Sequence, residues 1–153
     1  MPTPETTLVH ATAVAVGGRG VLILGASGAG KSDLALRVIT TPHVRDGAPV
    51  AARLVADDQV VIERDGDRLF ASPPASIAGK LEVRGLGKVE LPHEPRDELR
   101  LAVALRPAEQ IERMPDGLEI HPILGVKLPL VAIDGSKPGA TGRLLLAVLG
   151  SVP

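Results

Sequence analysis

At 153 residues, with 17 basic and 18 acidic side chains and a net charge of −1, the chain reads as one domain without the charge surplus that nucleic acid or an anionic membrane demands. No cysteine is present, which excludes disulfides, thiolate metal sites and cysteine nucleophiles and leads us to expect a reducing, cytoplasmic setting. Apolar residues make up 44%, yet Phe70 is the sole aromatic, so Val, Leu, Ile and Ala must build the core, as in sheets buried on both faces.

The opening "MPTPETTLVH" carries an acid and no basic stretch, unlike a signal peptide. No apolar run approaches the roughly 18 residues of a membrane span. Residues 8–16, "LVHATAVAV", predict a first strand, "GGRG" a tight turn, and "VLILG" (21–25) a short apolar strand at the centre of a sheet. A helix should come next, with Leu34, Ala35, Val38 and Ile39 on one face. Residues 40–52 read as a loop or a frayed helix end, and 53–63, "RLVADDQVVIE", as one strand with acids at its middle.

Asp65-Gly66 is a hairpin signal leading into "RLFAS". Residues 73–91 are punctuated by glycine and polar at the centre, which suggests a functional loop rather than an element. Residues 98–107 predict a strand, and 117–133 an extended stretch that Pro122 and Pro129 confine to edges or bulges. Ser136 as N-cap and Pro138 in the first turn predict a last apolar helix ending at Gly150. Strands outnumber helices, with no repeat and no linker. The expectation is one α/β domain over residues 1–153, a mixed, strand-rich sheet with few helices.

The most informative stretch is "GASGAGKS", Gly25 to Ser32, which satisfies G-x-x-x-x-G-K-[ST] between an apolar strand and an amphipathic helix. In such a loop the main-chain N–H groups of Gly25, Ala26, Ser27, Gly28, Ala29 and Gly30 curl around an anion, and the helix dipole adds to the attraction. Lys31 would bridge the β- and γ-phosphates, and the Ser32 hydroxyl would ligate Mg²⁺. ATP and Mg²⁺ are therefore the expected cofactors. The loop does not say whether the phosphate is hydrolysed, moved to a small molecule or moved to another protein.

P-loop enzymes need a carboxylate near the cation, and "LVADD" supplies Asp57 and Asp58. In a regular strand the two point to opposite faces, so one would hold the metal and the other would face an incoming hydroxyl. Glu82, in "LEVRGLG", could complete the metal shell, and Arg84 could neutralise phosphate charge. The blander readings are an exposed strand end and a surface ion pair. His10 by itself reads as a structural histidine, and His43, His93 and His121 have no metal-ligand spacing. The guanine-reading N-K-x-D and a D-x-x-G switch are both missing, which counts against a GTPase.

Taken together, "GASGAGKSDLAL", "RLVADDQV", "KLEVRGLGKV" and the upstream "VHA" resemble the catalytic domain of HPr kinase/phosphorylase. The likeness runs from about His10 to about Leu91, with a weaker echo beyond, and E-[IV]-R-G-x-G is its most specific element. It implies a fold of the phosphoenolpyruvate-carboxykinase-like kind and a short form, as in alphaproteobacteria, without the N-terminal domain of the longer enzymes. It implies a protein serine kinase that phosphorylates an HPr-type phosphocarrier, can reverse the reaction by phosphorolysis, and assembles as a homo-oligomer, typically a hexamer.

Residue by residue, the resemblance implies that His10 falls on the family's active-site histidine, Lys31 on its P-loop lysine and Ser32 on a Mg²⁺ ligand. Asp58 falls on the proton acceptor of the kinase reaction, with Asp57 as its companion at the metal, and Glu82 on the second Mg²⁺ ligand. Arg113 answers to a later catalytic arginine, and "GSKPG" (135–139) to the glycine-containing loop tied to dephosphorylation. Two other readings stay open: a small-molecule P-loop kinase, and a nucleotide-binding regulatory module with little catalysis.

Overall fold

The computed structural model describes residues 5–150, so the opening "MPTP" and both ends of the expected 1–153 domain lie outside the described residues. The chain runs β1 (Glu5–Val9), β2 (Thr12–Val16), β3 (Arg19–Leu24), α1 (Lys31–Thr40), β4 (His43–Arg45), β5 (Ala48–Val50), β6 (Ala52–Ala56) and β7 (Val60–Asp65). It continues through β8 (Arg68–Ser72), β9 (Lys80–Val83), β10 (Gly87–Glu90), β11 (Asp97–Leu105), β12 (Glu119–Ile123), β13 (Val126–Ile133) and α2 (Ala140–Val148). Short 3₁₀ turns cover Ala75–Ile77 and Ala108–Gln110.

Nine strands form one mixed sheet in the order β1-β7-β8-β11-β3-β2-β6, with β13 also pairing with β11 and β12 closing against β13. Among the described residues the parallel strand pairs are β3–β11 and β11–β13, so these three strands end at one level, at Leu24, Leu105 and Ile133. Along β2 the side chains alternate between two cores. Ala13 and Ala15 pack with Leu22, Val55, Ile62, Leu69 and Leu130 on one face. Val14 and Val16 pack on the other with Ile23 and Val103, beneath Leu34 and Val38 of α1 and Leu144 and Val148 of α2. Burial on both faces explains the uninterrupted apolar run of the central strands. No helix among the described residues is long and apolar enough to cross a membrane.

Several expectations change. The strand predicted over 8–16 is two strands: β1 pairs with β7, whereas β2 pairs with β3 and β6, and the chain changes partners at His10–Ala11. The strand predicted over 53–63 also breaks, between β6 and β7. There Asp58 adopts a φ of 68° and the Gln59 N–H turns back to the Asp57 carbonyl at 2.7 Å. Both segments are apolar on either side of the break, so hydrophobic pattern alone runs straight through it.

The loop predicted over 40–52 contains the β4–β5 hairpin, turned by Asp46-Gly47 with φ of 52° and 79°, the positive values that a two-residue hairpin turn needs. The stretch 73–91 holds a second small hairpin, β9–β10. Ser136 does not cap α2. Gly139 precedes that helix, and the Ser136 hydroxyl donates to Asp134 at 2.6 Å instead. The Asp65-Gly66 hairpin, the strand near 98–107 and the P-loop helix stand as expected.

Candidate active site

The turn from β3 into α1 carries the stretch from Gly25 to Ser32 that the sequence marks as a phosphate-binding loop. A Cβ on Gly25 would come within 3.1 Å of the Ala29 Cβ and 3.3 Å of the Leu105 Cβ, so the loop closes tightly only with glycine there. Gly30, with φ of 98°, delivers the chain into α1, and its carbonyl accepts from the Leu34 N–H at 2.9 Å. Lys31 is only 8% exposed. Its ammonium crosses back over the loop and donates to the Gly25 carbonyl at 2.7 Å and the Ala26 carbonyl at 3.0 Å. An ammonium has three donors, so one is left for an anion in the loop.

Asp57 is 7% exposed and ties three elements together. Its Oδ1 accepts from the Ser32 hydroxyl at 2.6 Å and the Thr12 hydroxyl at 3.0 Å. Its Oδ2 accepts from the Glu82 N–H at 3.2 Å. The P-loop helix, β2 and β9 therefore meet on one buried carboxylate, satisfied on both oxygens as burial requires. The next residue is turned elsewhere. The positive φ of Asp58 exposes its carboxylate, and Oδ1 lies 3.4 Å from His10 Nδ1.

These groups border one cavity of about 900 Å³. Its floor is the loop from Ser27 to Ser32, one wall carries His10, Thr12 and Asp58, and a second carries Glu82, Arg84 and Gly85. Gly135 and Ser136 close a third side. Of the residues singled out in the sequence, His10, Lys31, Ser32, Asp58 and Glu82 converge here, with Asp57 directly behind Ser32. Arg113 does not join them: it is exposed, between β11 and β12, and is not among the residues lining the cavity.

Two residues carry no mark in the sequence that would single them out. Thr12 is the buried hydroxyl of β2, and a lone threonine within "TAVAV" is its only signal. Arg37 donates from Nη2 to the Gly135 carbonyl and from Nη1 to the Lys137 carbonyl at 3.3 Å, while Nε pairs with Asp33 at 3.1 Å. It thereby pins the 135–137 loop to α1. The i,i+4 spacing of Asp33 and Arg37 is visible in the sequence, but the hold on a loop about 100 positions downstream is not.

The donor set fits a hard divalent cation. The Ser32 oxygen keeps lone pairs outward while its proton goes to Asp57, and the Glu82 carboxylate borders the same cavity. Among the described residues no three carboxylates or histidines gather around one point. A cation here would draw on one or two protein oxygens, with phosphate and water for the rest, which is how Mg²⁺ is usually held.

The loop at 134–136 is set by Asp134. It accepts from the Ser136 hydroxyl at 2.6 Å, the Ser136 N–H at 3.0 Å and the Ala108 N–H at 2.9 Å. Those bonds, the Ser136 hydroxyl foremost, hold its carboxyl below the ordinary range.

A family model described as the HPr serine kinase C-terminal domain matches residues 3–148. The HPr kinase/phosphorylase of Geobacillus thermodenitrificans is 37% identical over 157 residues, covering 94% of this chain and 47% of that protein. The HPr kinase/phosphorylase of Limosilactobacillus reuteri is 33% identical over 154 residues, covering 94% and 44%. The chain thus spans about half the length of the curated relatives it matches. The solved structure of the Hpr(Ser) kinase/phosphatase from Coxiella burnetii superposes with a TM-score of 0.73 at 25% identity, covering 94% of this chain and 87% of that one. The strand-rich P-loop fold expected from the sequence is the one observed.

Proposed function

The chain belongs to the HPr serine kinase C-terminal domain family, and from that premise we propose that it is the catalytic domain of an ATP- and Mg²⁺-dependent protein serine kinase acting on an HPr-type phosphocarrier. The observation that carries the reading is the division of labour between adjacent acids. Asp57 is buried and bonded to Ser32 at the mouth of the phosphate loop, while Asp58 is exposed to the same cavity beside His10.

In the forward reaction the loop amides and Lys31 hold the β- and γ-phosphates, and Asp58 accepts the proton of the carrier's serine. The serine oxygen forms its bond to the γ-phosphorus as the bond from that phosphorus to the β-bridging oxygen breaks, and ADP leaves with the electron pair. His10 orients the Asp58 carboxylate. Ser32 and Glu82 are the residues that would hold Mg²⁺ directly, with Asp57 at the metal site behind them through its bond to the Ser32 hydroxyl, and the ion would neutralise charge on the phosphates. Most of the acceleration comes from positioning and from charge stabilisation, as in phosphoryl transfer generally.

The reverse reaction uses the same groups. Inorganic phosphate attacks the phosphoserine phosphorus, Asp58 returns its proton to the leaving serine oxygen, and pyrophosphate is released. Gly135 and Ser136, which line the same cavity, would contact that inorganic phosphate. The domain assignment over residues 1–153, the cytoplasmic setting and a homo-oligomeric assembly are parts of the same proposal.

The test is intact-mass spectrometry of a purified HPr-type carrier incubated with the protein, Mg²⁺ and ATP, with Asp58→Asn as control. One phosphate added to one serine, absent in the control, is the expected result. ATP binding without any transfer would shift the reading to a nucleotide-binding regulatory module. Turnover of a metabolite alone would shift it to a small-molecule kinase.

A further inference from the structure

The acids of the candidate site stand on two different supports. Asp57 and Asp58 follow β6, a strand of the large sheet, whereas Glu82 and Arg84 ride on the β9–β10 hairpin. Among the described residues β9 and β10 pair only with each other, so no ladder of the large sheet fixes where Glu82 stands over the phosphate loop. Leu81 is buried, and the Glu82 N–H reaches Asp57 Oδ2 at 3.2 Å. A further hold lies at the base of the hairpin, and it centres on His93.

The base closes where the Leu91 N–H, just past β10, donates to the Gly79 carbonyl, just before β9, at 3.1 Å. The His93 ring lies across this closure. A Cβ on Gly79 would stand 2.6 Å from Nδ1 and 2.7 Å from Cε1, so the ring occupies the place of a side chain at 79. The φ of 75° at Gly79 asks for glycine as well. Nδ1 also lies 3.0 Å from the Leu91 carbonyl, and since a carbonyl only accepts, Nδ1 carries the proton and donates. His93 is itself moored to the strand that leads to the acids. The Leu54 N–H donates to the Pro92 carbonyl at 2.9 Å, and the Glu94 N–H donates to the Leu54 carbonyl at 2.8 Å. Leu54 belongs to β6, which runs directly into Asp57.

We propose that His93 is a positioning residue whose ring clasps the base of the β9–β10 hairpin onto β6 and so sets the Glu82 carboxylate in register with Asp57 and Ser32. The proposal rests on the reading of Ser32 and Glu82 as holders of Mg²⁺ and adds what keeps the two aligned. His93 is not among the residues lining the cavity, so it acts through the hairpin alone.

The test uses His93→Ala, which removes the clasp, and His93→Asn, whose side-chain amide puts a donor where Nδ1 stands. His93 is exposed, so neither change disturbs the buried core. ATP is titrated calorimetrically in Mg²⁺ and in EDTA, and Mg²⁺ should tighten its binding to native protein. In His93→Ala that gain should fall about tenfold, the low end of what losing a partner behind a metal ligand costs, with affinity in EDTA unchanged. His93→Asn should recover most of the gain. Hydrogen exchange of the nucleotide-free protein supplies a readout that needs no cation. Peptides within residues 79–91 should exchange about tenfold faster in His93→Ala, with peptides of β3 and β11 unchanged. An undiminished gain in His93→Ala, equal losses with and without Mg²⁺, no recovery in His93→Asn, or unchanged exchange over 79–91 would each overturn the clasp. Faster exchange throughout the chain would overturn it too, as a general loss of stability. Native protein that binds ATP equally in Mg²⁺ and in EDTA would overturn the cation reading itself, and exchange over 79–91 then decides the clasp alone.

Discussion

His10 and Asp58 are 48 positions apart, yet His10 Nδ1 lies 3.4 Å from Asp58 Oδ1, and the Ala11 N–H donates to the Asp58 carbonyl at 3.2 Å. Each residue sits where a strand breaks: His10 between β1 and β2, Asp58 between β6 and β7. Because β1 pairs with β7 and β2 with β6, the two breaks are forced to face one another. Asp58→Asn keeps the shape of this pair and removes the carboxylate proposed to act as the base. Transfer to the carrier serine should fall about 10²–10⁴-fold with ATP affinity largely intact, as measured by single-turnover phosphorylation and calorimetry. His10→Ala, which leaves the carboxylate but not its orientation, should give a smaller loss in the same assay. Loss of Mg²⁺-dependent ATP binding in Asp58→Asn would mean that the two acids have exchanged roles.

Asp57 carries a structural role that Asp58 lacks. Asp57→Ala would leave the Thr12 and Ser32 hydroxyls and the Glu82 N–H without their acceptor, at a cost of about 2–4 kcal/mol in urea unfolding. Asp58→Ala, at an exposed position, should unfold close to the native midpoint. The contrast separates the buried acid from the exposed one independently of activity.

Lys31→Ala should reduce phosphoryl transfer by at least about a hundredfold, because it removes the ammonium that reaches across the loop mouth. Unchanged transfer would remove the P-loop from the mechanism. Arg37→Met leaves the loop intact but releases the Gly135 and Lys137 carbonyls. It should raise the KM for phosphate in the reverse direction more than it changes forward transfer, read from pyrophosphate release.

The Asp134 carboxyl is held below its usual range by the Ser136 and Ala108 donors, which fixes the sign of its effect on stability. A depressed folded-state value means that the unfolded chain binds the proton more readily. The contribution is therefore complete above the ordinary carboxylate range and is lost as pH falls through the lowered value. Thermal unfolding tracked from neutral pH into acid should show a gentler decline for Asp134→Asn than for native protein. Parallel curves would contradict this.

Chemistry encoded within a few neighbouring residues is legible in the sequence alone. The P-loop, its helix and the Asp65-Gly66 hairpin depend on local turn geometry and short-range periodicity, and a contiguous motif specifies them. The candidate metal and catalytic acids are legible as a set because the P-loop creates a demand for carboxylates and few segments offer them. Their separate placements are not, because a straight strand and a broken one share the same apolar pattern. Tertiary pairing with β1 and β2 forces the break at Asp57–Gln59, and with it the burial of one acid and the exposure of the other. The same holds for Thr12 beneath Asp57 and for Arg37 on the Gly135 loop. Each depends on contacts between residues tens of positions apart, whose closure is decided by the packing of the whole sheet and not by any local preference.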